Sequence, residues 1–463
     1  MIKLAEKINY KLIIILALIV IFSAIARINL AIALFLAVLY SYLKLRGLNI
    51  KNCNLLNLSL LFLVFCAAGY FIIKQGLPIY YIPFAAVPML TTLLFNNLEL
   101  SLLITLGSSV SIASFSVNPL EIILFSLING LVSSVLVLGA RKRNTVIRAG
   151  IVTACFQILT LLLIEHLWVG PPERYLALFL NGIISSIIVL GVLPVFEYLF
   201  NTATNISLLE LADFHHPLLQ RLVQEAPGTY HHSLIVGNLS ETACRAIGAN
   251  ALLARIGAYY HDIGKLQKPE YFSENQFREL SKHGNLSPSM SKLVIMNHVK
   301  EGIELAKKYR LNPPLIDFIQ QHHGNSLVYY FYRKALESIE EDQDVKEEGF
   351  RYPGPKPNSK ETAVVLLADS VEAAGRALRD PAPAKIEELV HKVINNKFID
   401  GQLDECELTL KDLEKISVVF IRLLCGIYHN RTNYPESERI ENNHKKSSKK
   451  DPHLSDKDKK VNP

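Results

Sequence analysis

The N-terminal half of the chain consists of long apolar stretches with short polar breaks between them. From residue 52 to residue 140 the charged side chains are Lys74, Glu99 and Glu121 alone. A helix in a soluble core needs a polar face, whereas these stretches are apolar on all sides and match a bilayer core of roughly 30 Å. The pattern predicts eight membrane-spanning segments, at 12–26, 29–43, 55–73, 78–95, 100–117, 122–140, 149–168 and 175–200.

The number of spans depends on the first two segments, which are short and separated only by residues 27–28. One long kinked helix there would give seven spans instead of eight. Lysine and arginine gather on the cytoplasmic side of a membrane, and here they cluster at 3–11, 44–51 and 141–148. Eight spans put all three clusters inside. We therefore predict a multi-pass protein of the plasma membrane with everything after Phe200 in the cytoplasm.

The polar half, from about residue 202 to about residue 433, has helical periodicity and no strand pattern that persists. Helices are predicted at 205–225, 231–247, 250–263, 289–309, 313–323, 327–340, 361–379, 383–395 and 408–430. A polar, proline-rich loop is predicted at 341–359. Because no internal repeat appears, a compact bundle is favoured over a solenoid.

The predicted fold class is therefore all-α, with three parts. Residues 1–200 form a polytopic transmembrane bundle, residues 202–433 form a cytoplasmic helical domain, and the charged tail 434–463 is predicted to be disordered. Six cysteines without a CxxC pair indicate neither a disulfide framework nor a thiolate metal site. The formal charge of +6 lies largely in loops and the tail, so it does not indicate a nucleic-acid polymer as partner.

Seven histidine and aspartate side chains, spread over five predicted helices, form a candidate metal-binding set. They are His232, His261, Asp262, His298, His322, His323 and Asp369. The adjacent His261 and Asp262 form the centre, because one short segment there can hold one ion and offer an oxygen to a second. Asp369 lies within an apolar run. Burying its charge unpaired would cost several kcal/mol, so a cation or a hydrogen-bond partner is expected.

Each of these residues also has an ordinary explanation, since a lone helical histidine is usually a satisfied core or surface residue. Together they supply two nitrogen-and-oxygen sites of the kind that Mn²⁺ or Fe²⁺ favours, without thiolates that would select zinc. Asp262 would bridge the two ions. A water between ions roughly 3.5–4 Å apart becomes a hydroxide near neutral pH and attacks phosphorus. The set predicts phosphoester hydrolysis with Asp262 as a catalytic residue.

The sequence around these residues resembles a known family. Its motifs are GTYHHSLIVGNLSETACRAIGANALLARIGAYYHDIGK, NHV, QHHGNSLVYYFY and RYPGPKPNSKETAVVLLADSVEAA. They are similar to those of the membrane-anchored HD-domain phosphodiesterases that hydrolyse cyclic di-AMP, in which seven spans precede the HD domain. The resemblance covers the whole predicted cytoplasmic domain. It selects His232 over His231, and it implies two divalent metal ions, cyclic di-AMP as substrate and linear pApA as product.

The N-terminal region departs from that family. Its members typically carry a large extracellular domain between the first span and the next seven, whereas here two residues separate the first two segments. The protein is therefore expected to take its signal from the membrane or the cytoplasm, or to be unregulated by the extracellular route. The membrane bilayer is an expected partner, and a homo-oligomer is compatible with the sequence.

Several neighbouring residues have two readings each. Lys265, four residues after His261, would bind a substrate phosphate or protonate the leaving oxygen; the alternative is a solvated lysine after a helix end. Tyr230, Tyr259 and Tyr260 would stack on adenine or pack in the core. The histidines outside the pattern, expected to be ordinary, are His215, His216, His283 and His391.

Three functions remain open at this point. The first is hydrolysis of cyclic di-AMP, the second is hydrolysis of cyclic di-GMP or a guanosine polyphosphate by an HD domain, and the third is a membrane receptor that binds a nucleotide without cleaving it. The RYPGP loop lacks the GYP motif of enzymes that cleave cyclic di-GMP. A receptor is expected to lack a metal ligand, and none is missing. Selectivity for adenine rests on the resemblance alone.

Overall fold

The computed structural model describes most of the chain: residues 32, 35, 37–41, 55–116, 118–165, 170–276, 282–337, 345–378 and 381–428. Within these residues every regular element is a helix, apart from one isolated antiparallel bridge between Leu327 and Arg351. The predicted all-α fold is confirmed. The first predicted span, most of the second and the predicted disordered tail lie outside the described residues, so the count of eight spans stays a prediction.

From residue 55 to residue 200, the membrane half of the described chain contains six α-helices. They are α1 Leu55–Lys74, α2 Ala86–Phe95, α3 Leu98–Ala113, α4 Pro119–Val137, α5 Arg143–Ile164 and α6 Pro172–Leu199. By length and composition, four of them, α1, α4, α5 and α6, can cross a membrane. Close backbone approach holds the last two together, because a Cβ on Gly150 would lie 2.6 Å from the carbonyl oxygen of Gly182.

The predicted span 78–95 has a different structure. A 3₁₀ turn at Ile79–Tyr81 is followed by α2, which has only ten residues. Pro83 lies between them and lacks the N–H that a continuous helix would use. Residues 86–94 of α2 are all buried, and the helix packs against α3, α4 and α6. It is therefore a short helix inside the bundle, and its apolar composition reflects burial by protein.

The polar half contains ten α-helices in the described residues. They are α7 Asn205–Leu211, α8 Pro217–Glu225, α9 Pro227–Ile247, α10 Ala251–Tyr260, α11 Pro288–Lys308, α12 Pro313–Gln321, α13 Tyr329–Glu337, α14 Lys360–Arg376, α15 Pro383–Ile399 and α16 Leu410–Ile427. The prediction of one helix at 205–225 was wrong. Pro217 begins a second helix there, since a proline is accepted in the first turn but not in the interior.

Helix α14 is the centre of this domain. Residues 363–368 have no exposed surface and pack among α9, α10, α15 and α16. Asp369 follows directly on the same helix, so its carboxylate is carried by the most buried element of the domain. A second apolar cluster joins α7, α8 and α10 to α11 and α12.

The two halves are joined by a short connection after α6 that is fixed by polar contacts. The buried carboxylate of Glu197 accepts hydrogen bonds from the backbone N–H of Thr204 at 2.8 Å and from the Ser207 hydroxyl at 2.7 Å. Arg143, at the start of α5, forms two hydrogen bonds to Glu210 on α7, at 2.6 and 2.9 Å. The first helix of the polar half is thus tied to the membrane half at two points.

Candidate metal centre

Four of the candidate histidines have their Nδ1 atoms engaged by acceptors, so that Nε2 of each ring faces other candidate ligands. Three of them contact the carbonyl oxygen three residues earlier: His261 that of Ala258, His298 that of Ile295 and His322 that of Ile319. A carbonyl only accepts, so Nδ1 carries the proton. Nδ1 of His232 contacts the Glu372 carboxylate. Metal-binding histidines generally donate their other ring N–H in this way, which fixes tautomer and ring orientation.

The first group of candidate ligands joins α9, the end of α10 and α14. The ligand atoms of His232, His261, Asp262 and Asp369 lie within 4.8 Å of one another, and all four side chains are buried. Oδ1 of Asp369 is 3.0 Å from Nε2 of His232 and 3.8 Å from Nε2 of His261. The fold thus brings two imidazoles and two carboxylates together, and this donor set suits a divalent cation.

The second group consists of His298 on α11 and of His322 and His323 at the end of α12, again with ligand atoms within 4.8 Å. Nε2 of His298 lies 3.2 Å from Nε2 of His322. The ring of His323 stacks on that of Tyr352, with centroids 4.3 Å apart. Three imidazoles at this spacing form a nitrogen-rich half-site.

Asp262 lies between the two groups and presents one oxygen to each. Its Oδ2 is 3.2 Å from Nε2 of His261, and its Oδ1 is 3.4 Å from His298 Nε2 and 3.6 Å from His322 Nε2. Among the described residues, Oδ1 of Asp262 and Nε2 of His261 have no hydrogen-bond partner although both atoms are buried, whereas Oδ2 lies 2.7 Å from the Lys265 ammonium. Buried polar atoms are normally paired, so this donor set fits a pair of cations.

Electrostatics favour the protonation states that metal binding needs at His298, His323 and Asp262, but not at His261. Burial lowers the pKa of His298 to about 4, and burial with the neighbouring His322 holds the pKa of His323 well below its usual value. Burial opposes charge on Asp262, but His261 and Lys265 hold its pKa well below normal. Burial lowers the pKa of His261, yet the adjacent Asp262 outweighs it and raises that pKa to about 10. A cation would compete with that proton.

Lys265 is not the solvated lysine that the sequence left open. Its ammonium lies 2.7 Å from Oδ2 of Asp262 and 2.7 Å from Oε1 of Glu274. Burial disfavours its charge, but these two carboxylates raise its pKa above the usual value. The structure therefore places a permanent positive charge at the edge of the first group.

A glycine contact sets the position of His298. A Cβ on Gly264 would lie 1.8 Å from the carbonyl oxygen of His298 and 2.6 Å from the backbone nitrogen of Gly302. The turn after Asp262 consequently packs directly on the backbone of α11. Only a residue without a side chain permits this approach.

All seven predicted residues are brought together, and their assignment as metal ligands stays a prediction. The other candidates lie elsewhere. Tyr260 is buried and its hydroxyl donates to the carbonyl of Leu211, while Tyr230 and Tyr259 pack against Phe214. The histidines at 215, 216, 231, 283 and 391 belong to neither of the two groups in the described chain.

Three residues near the centre were not predicted from the sequence. Glu372 contacts His232, Tyr352 stacks on His323, and Glu274 holds Lys265. A signal for Glu372 was present, because it follows Asp369 by three residues and therefore lies on the same helix face. Tyr352 lies in a loop and Glu274 in a single 3₁₀ turn, where no sequence periodicity indicates which way a side chain points.

Replacing Glu372 by Gln is expected to weaken metal binding by roughly 10–100-fold. The amide keeps the shape of the side chain but gives His232 Nδ1 a weaker acceptor, so the ring is less basic and less well oriented. Competition with a chromophoric chelator measures the affinity. Glu387→Gln, at an exposed position of α15, is the matched control, and equal affinities for the two variants would contradict this role of Glu372.

Comparison with known proteins adds independent findings. Residues 18–204 match the sequence model of a family described as 7TM receptor with intracellular HD hydrolase, and residues 229–374 match that of the HD domain. The chain is 38% identical over 437 residues to the Cyclic-di-AMP phosphodiesterase PgpH of Bacillus subtilis (strain 168), covering 90% of this chain and 61% of that protein. It is 39% identical over 363 residues to the PgpH of Listeria monocytogenes serotype 1/2a (strain 10403S), covering 77% and 50%.

Among solved structures, the chain is similar to the HD domain of L. monocytogenes PgpH in complex with Cyclic-di-AMP. The identity is 46%, the TM-score is 0.45, and the match covers 47% of this chain and 100% of that one. The chain thus spans 61% and 50% of the length of the two curated relatives.

Proposed function

We propose that the chain is a member of the family of 7TM receptors with an intracellular HD hydrolase, and that it is a metal-dependent phosphodiesterase that hydrolyses cyclic di-AMP to linear pApA. The two matching family models agree with the resemblance of its motifs, and the four long apolar helices are those of a membrane protein. Both curated relatives carry the name cyclic-di-AMP phosphodiesterase, which supports the choice of substrate.

One observation carries the proposal. Asp262 presents one buried oxygen to each of two groups of candidate ligands, His232, His261 and Asp369 on one side and three histidines on the other. Nitrogen and carboxylate donors without thiolates suit Mn²⁺ or Fe²⁺. When bound, two such ions would supply positive charge for the phosphate oxygens and acidify a water molecule. His232, His261, Asp262 and Asp369 would hold one ion, and His298, His322 and His323 with Asp262 the other.

The surrounding side chains have further proposed roles. Lys265, held by Asp262 and Glu274, would bind a phosphate oxygen with its ammonium, and its raised pKa makes proton transfer to the leaving oxygen the less favoured role. A cavity of about 550 Å³ adjoins it and is lined by aromatic side chains, including Tyr271, Phe272 and Phe331. The ring of Phe272 also contacts His298, with centroids 5.8 Å apart. Aromatic rings next to a metal centre suit a purine base, which stacks on them.

The proposed family also implies how the chain is divided into domains. Residues 1–200 are proposed as the transmembrane bundle and 202–433 as an HD phosphohydrolase domain on its cytoplasmic side. Arg141, Lys142 and Arg143 support this orientation, because they join α4 to α5 on the side where α6 leads into the polar half. Basic residues mark the cytoplasmic side of membrane proteins.

The experiment is a side-by-side assay of the purified full-length protein in detergent with Mn²⁺. We expect conversion of cyclic di-AMP to pApA, resolved by chromatography, and loss of turnover after removal of metal by a chelator, restored by Mn²⁺. Cyclic di-GMP in parallel tests the alternative substrate. Faster cleavage of cyclic di-GMP would replace the proposed substrate, and calorimetric binding with no product from any cyclic dinucleotide would replace the enzyme by a receptor.

A further inference from the structure

A second cavity lies at the junction of the membrane helices and the HD domain, far along α10 from the metal centre. It measures about 680 Å³, within the range of ligand sites. Its walls come from the end of α2 at residues 93–95, the loop residue Arg141, the connection 202–205, and the corner between α9 and α10 at residues 248–252. We call it the junction cavity.

The junction cavity lies at the level of the membrane surface. Helix α4 ends at Val137, α5 begins at Arg143 and α6 ends at Leu199. Asn57 near the start of α1 donates to the carbonyl of Leu199, so the ends of all four candidate spans gather on this side. A lipid headgroup and a soluble anion can both reach this depth.

Positive charge prevails along its walls. Three arginines line the junction cavity, Arg141, Arg245 and Arg255, against the single carboxylate of Glu241. Glu241 pairs with Arg245 at 2.8 Å and with Arg255 at 3.0 Å, which leaves a surplus of two positive charges. Within the described part of the chain, Arg141 forms no ion pair, and the buried Nε of Arg255 has no hydrogen-bond acceptor. A buried donor without a partner costs free energy that an anionic ligand would recover.

One side of the junction cavity is apolar. Leu93, Leu94 and Phe95 line it from the membrane half, and Leu209 and Leu252 from the other. A ligand with a phosphate for the arginines and an apolar portion beside it therefore matches both walls. We propose that the junction cavity binds a phosphate group, whose source is the headgroup of an anionic phospholipid or a phosphate ester dissolved in the adjoining water.

The test is lipid retention by the full-length protein in detergent, counted by native mass spectrometry after exchange into mixtures of phosphatidylglycerol and phosphatidylcholine. We expect one phosphatidylglycerol per chain to remain under conditions that strip phosphatidylcholine. Arg141→Gln should weaken its retention by roughly tenfold, as expected for the loss of one charge-assisted contact. Lys142→Gln is the matched control, because it removes the same charge one residue along but does not line the cavity. Glu241→Gln, which removes the one acid, should strengthen retention.

Glycerol phosphate, added as competitor, distinguishes the two sources. If it fails to displace the lipid, the acyl portion is part of the ligand; if it displaces the lipid and binds by itself with the same dependence on Arg141, a soluble phosphate ester is the source. Thermal unfolding checks that each variant is folded. Equal retention by the wild type, Arg141→Gln and Lys142→Gln would overturn the proposal, since annular lipids then explain every adduct.

Discussion

Replacement of Asp262 by Asn is expected to abolish the proposed phosphodiesterase activity and to reduce bound metal from the proposed two ions per chain to one at most. The side chain keeps its shape, but one of its two oxygens becomes an amide nitrogen that cannot bind a cation. Since Oδ1 and Oδ2 face different groups, one group loses its shared ligand. Loss of several kcal/mol of charge stabilisation corresponds to a fall in kcat on the order of 10³-fold or more.

Metal content by plasma mass spectrometry and kcat on the same sample test this expectation. Asp213→Asn is the matched control, because Asp213 is exposed and belongs to neither group. Lower activity without a loss of bound metal would not distinguish loss of the shared ligand from general damage to the site. Two ions per chain in the Asp262 variant, or substantial turnover, would show that this carboxylate does not bridge.

Replacement of Gly264 by Ala is expected to damage both the fold and the site. The new methyl group would fall 1.8 Å from the carbonyl oxygen of His298, and a backbone atom cannot rotate away as a side chain can. Helix α11 must move, and His298 moves with it. Overpacking of this kind costs about 1–3 kcal/mol, so we expect a lower Tm together with weaker metal binding by the second group.

Thermal unfolding of the full-length protein in detergent, with and without Mn²⁺, measures both effects. Gly426→Ala on α16 is the matched control, since a Cβ there meets no atom within 4 Å and alanine is the better helix former. The control should unfold at the same or a higher temperature. A Gly264 variant with unchanged Tm and full metal content would mean that α11 does not pack on this turn as described.

The sequence contained enough information for the candidate metal centre because its residues lie inside distinctive motifs, and four of the seven follow helix ends. His261 and Asp262 close α10, and His322 and His323 follow α12. Asp369 was indicated by a charge within an apolar run. Such local signals survive without knowledge of tertiary contacts, so all seven residues could be named and found together.

Other features depend on tertiary contacts that local sequence does not report. The apolar run 78–95 looks the same whether lipid or protein covers it, and here protein covers α2. Tyr352 reaches His323 because its loop is held by a backbone hydrogen bond to Ser326 at 3.0 Å. The break before Pro217, by contrast, could have been predicted from the sequence, because proline favours the first turn of a helix.

Helix α10 connects the junction cavity to the candidate metal centre. Its first residues border the junction cavity, and its last residue precedes His261. The ten residues of α10 form a helix about 15 Å long, which its own backbone hydrogen bonds keep rigid. A tilt of α10 at its membrane end would therefore also displace Asp262 at its other end. In the proposed enzyme, the distance between the two ion sites would therefore depend on the position of the membrane helices.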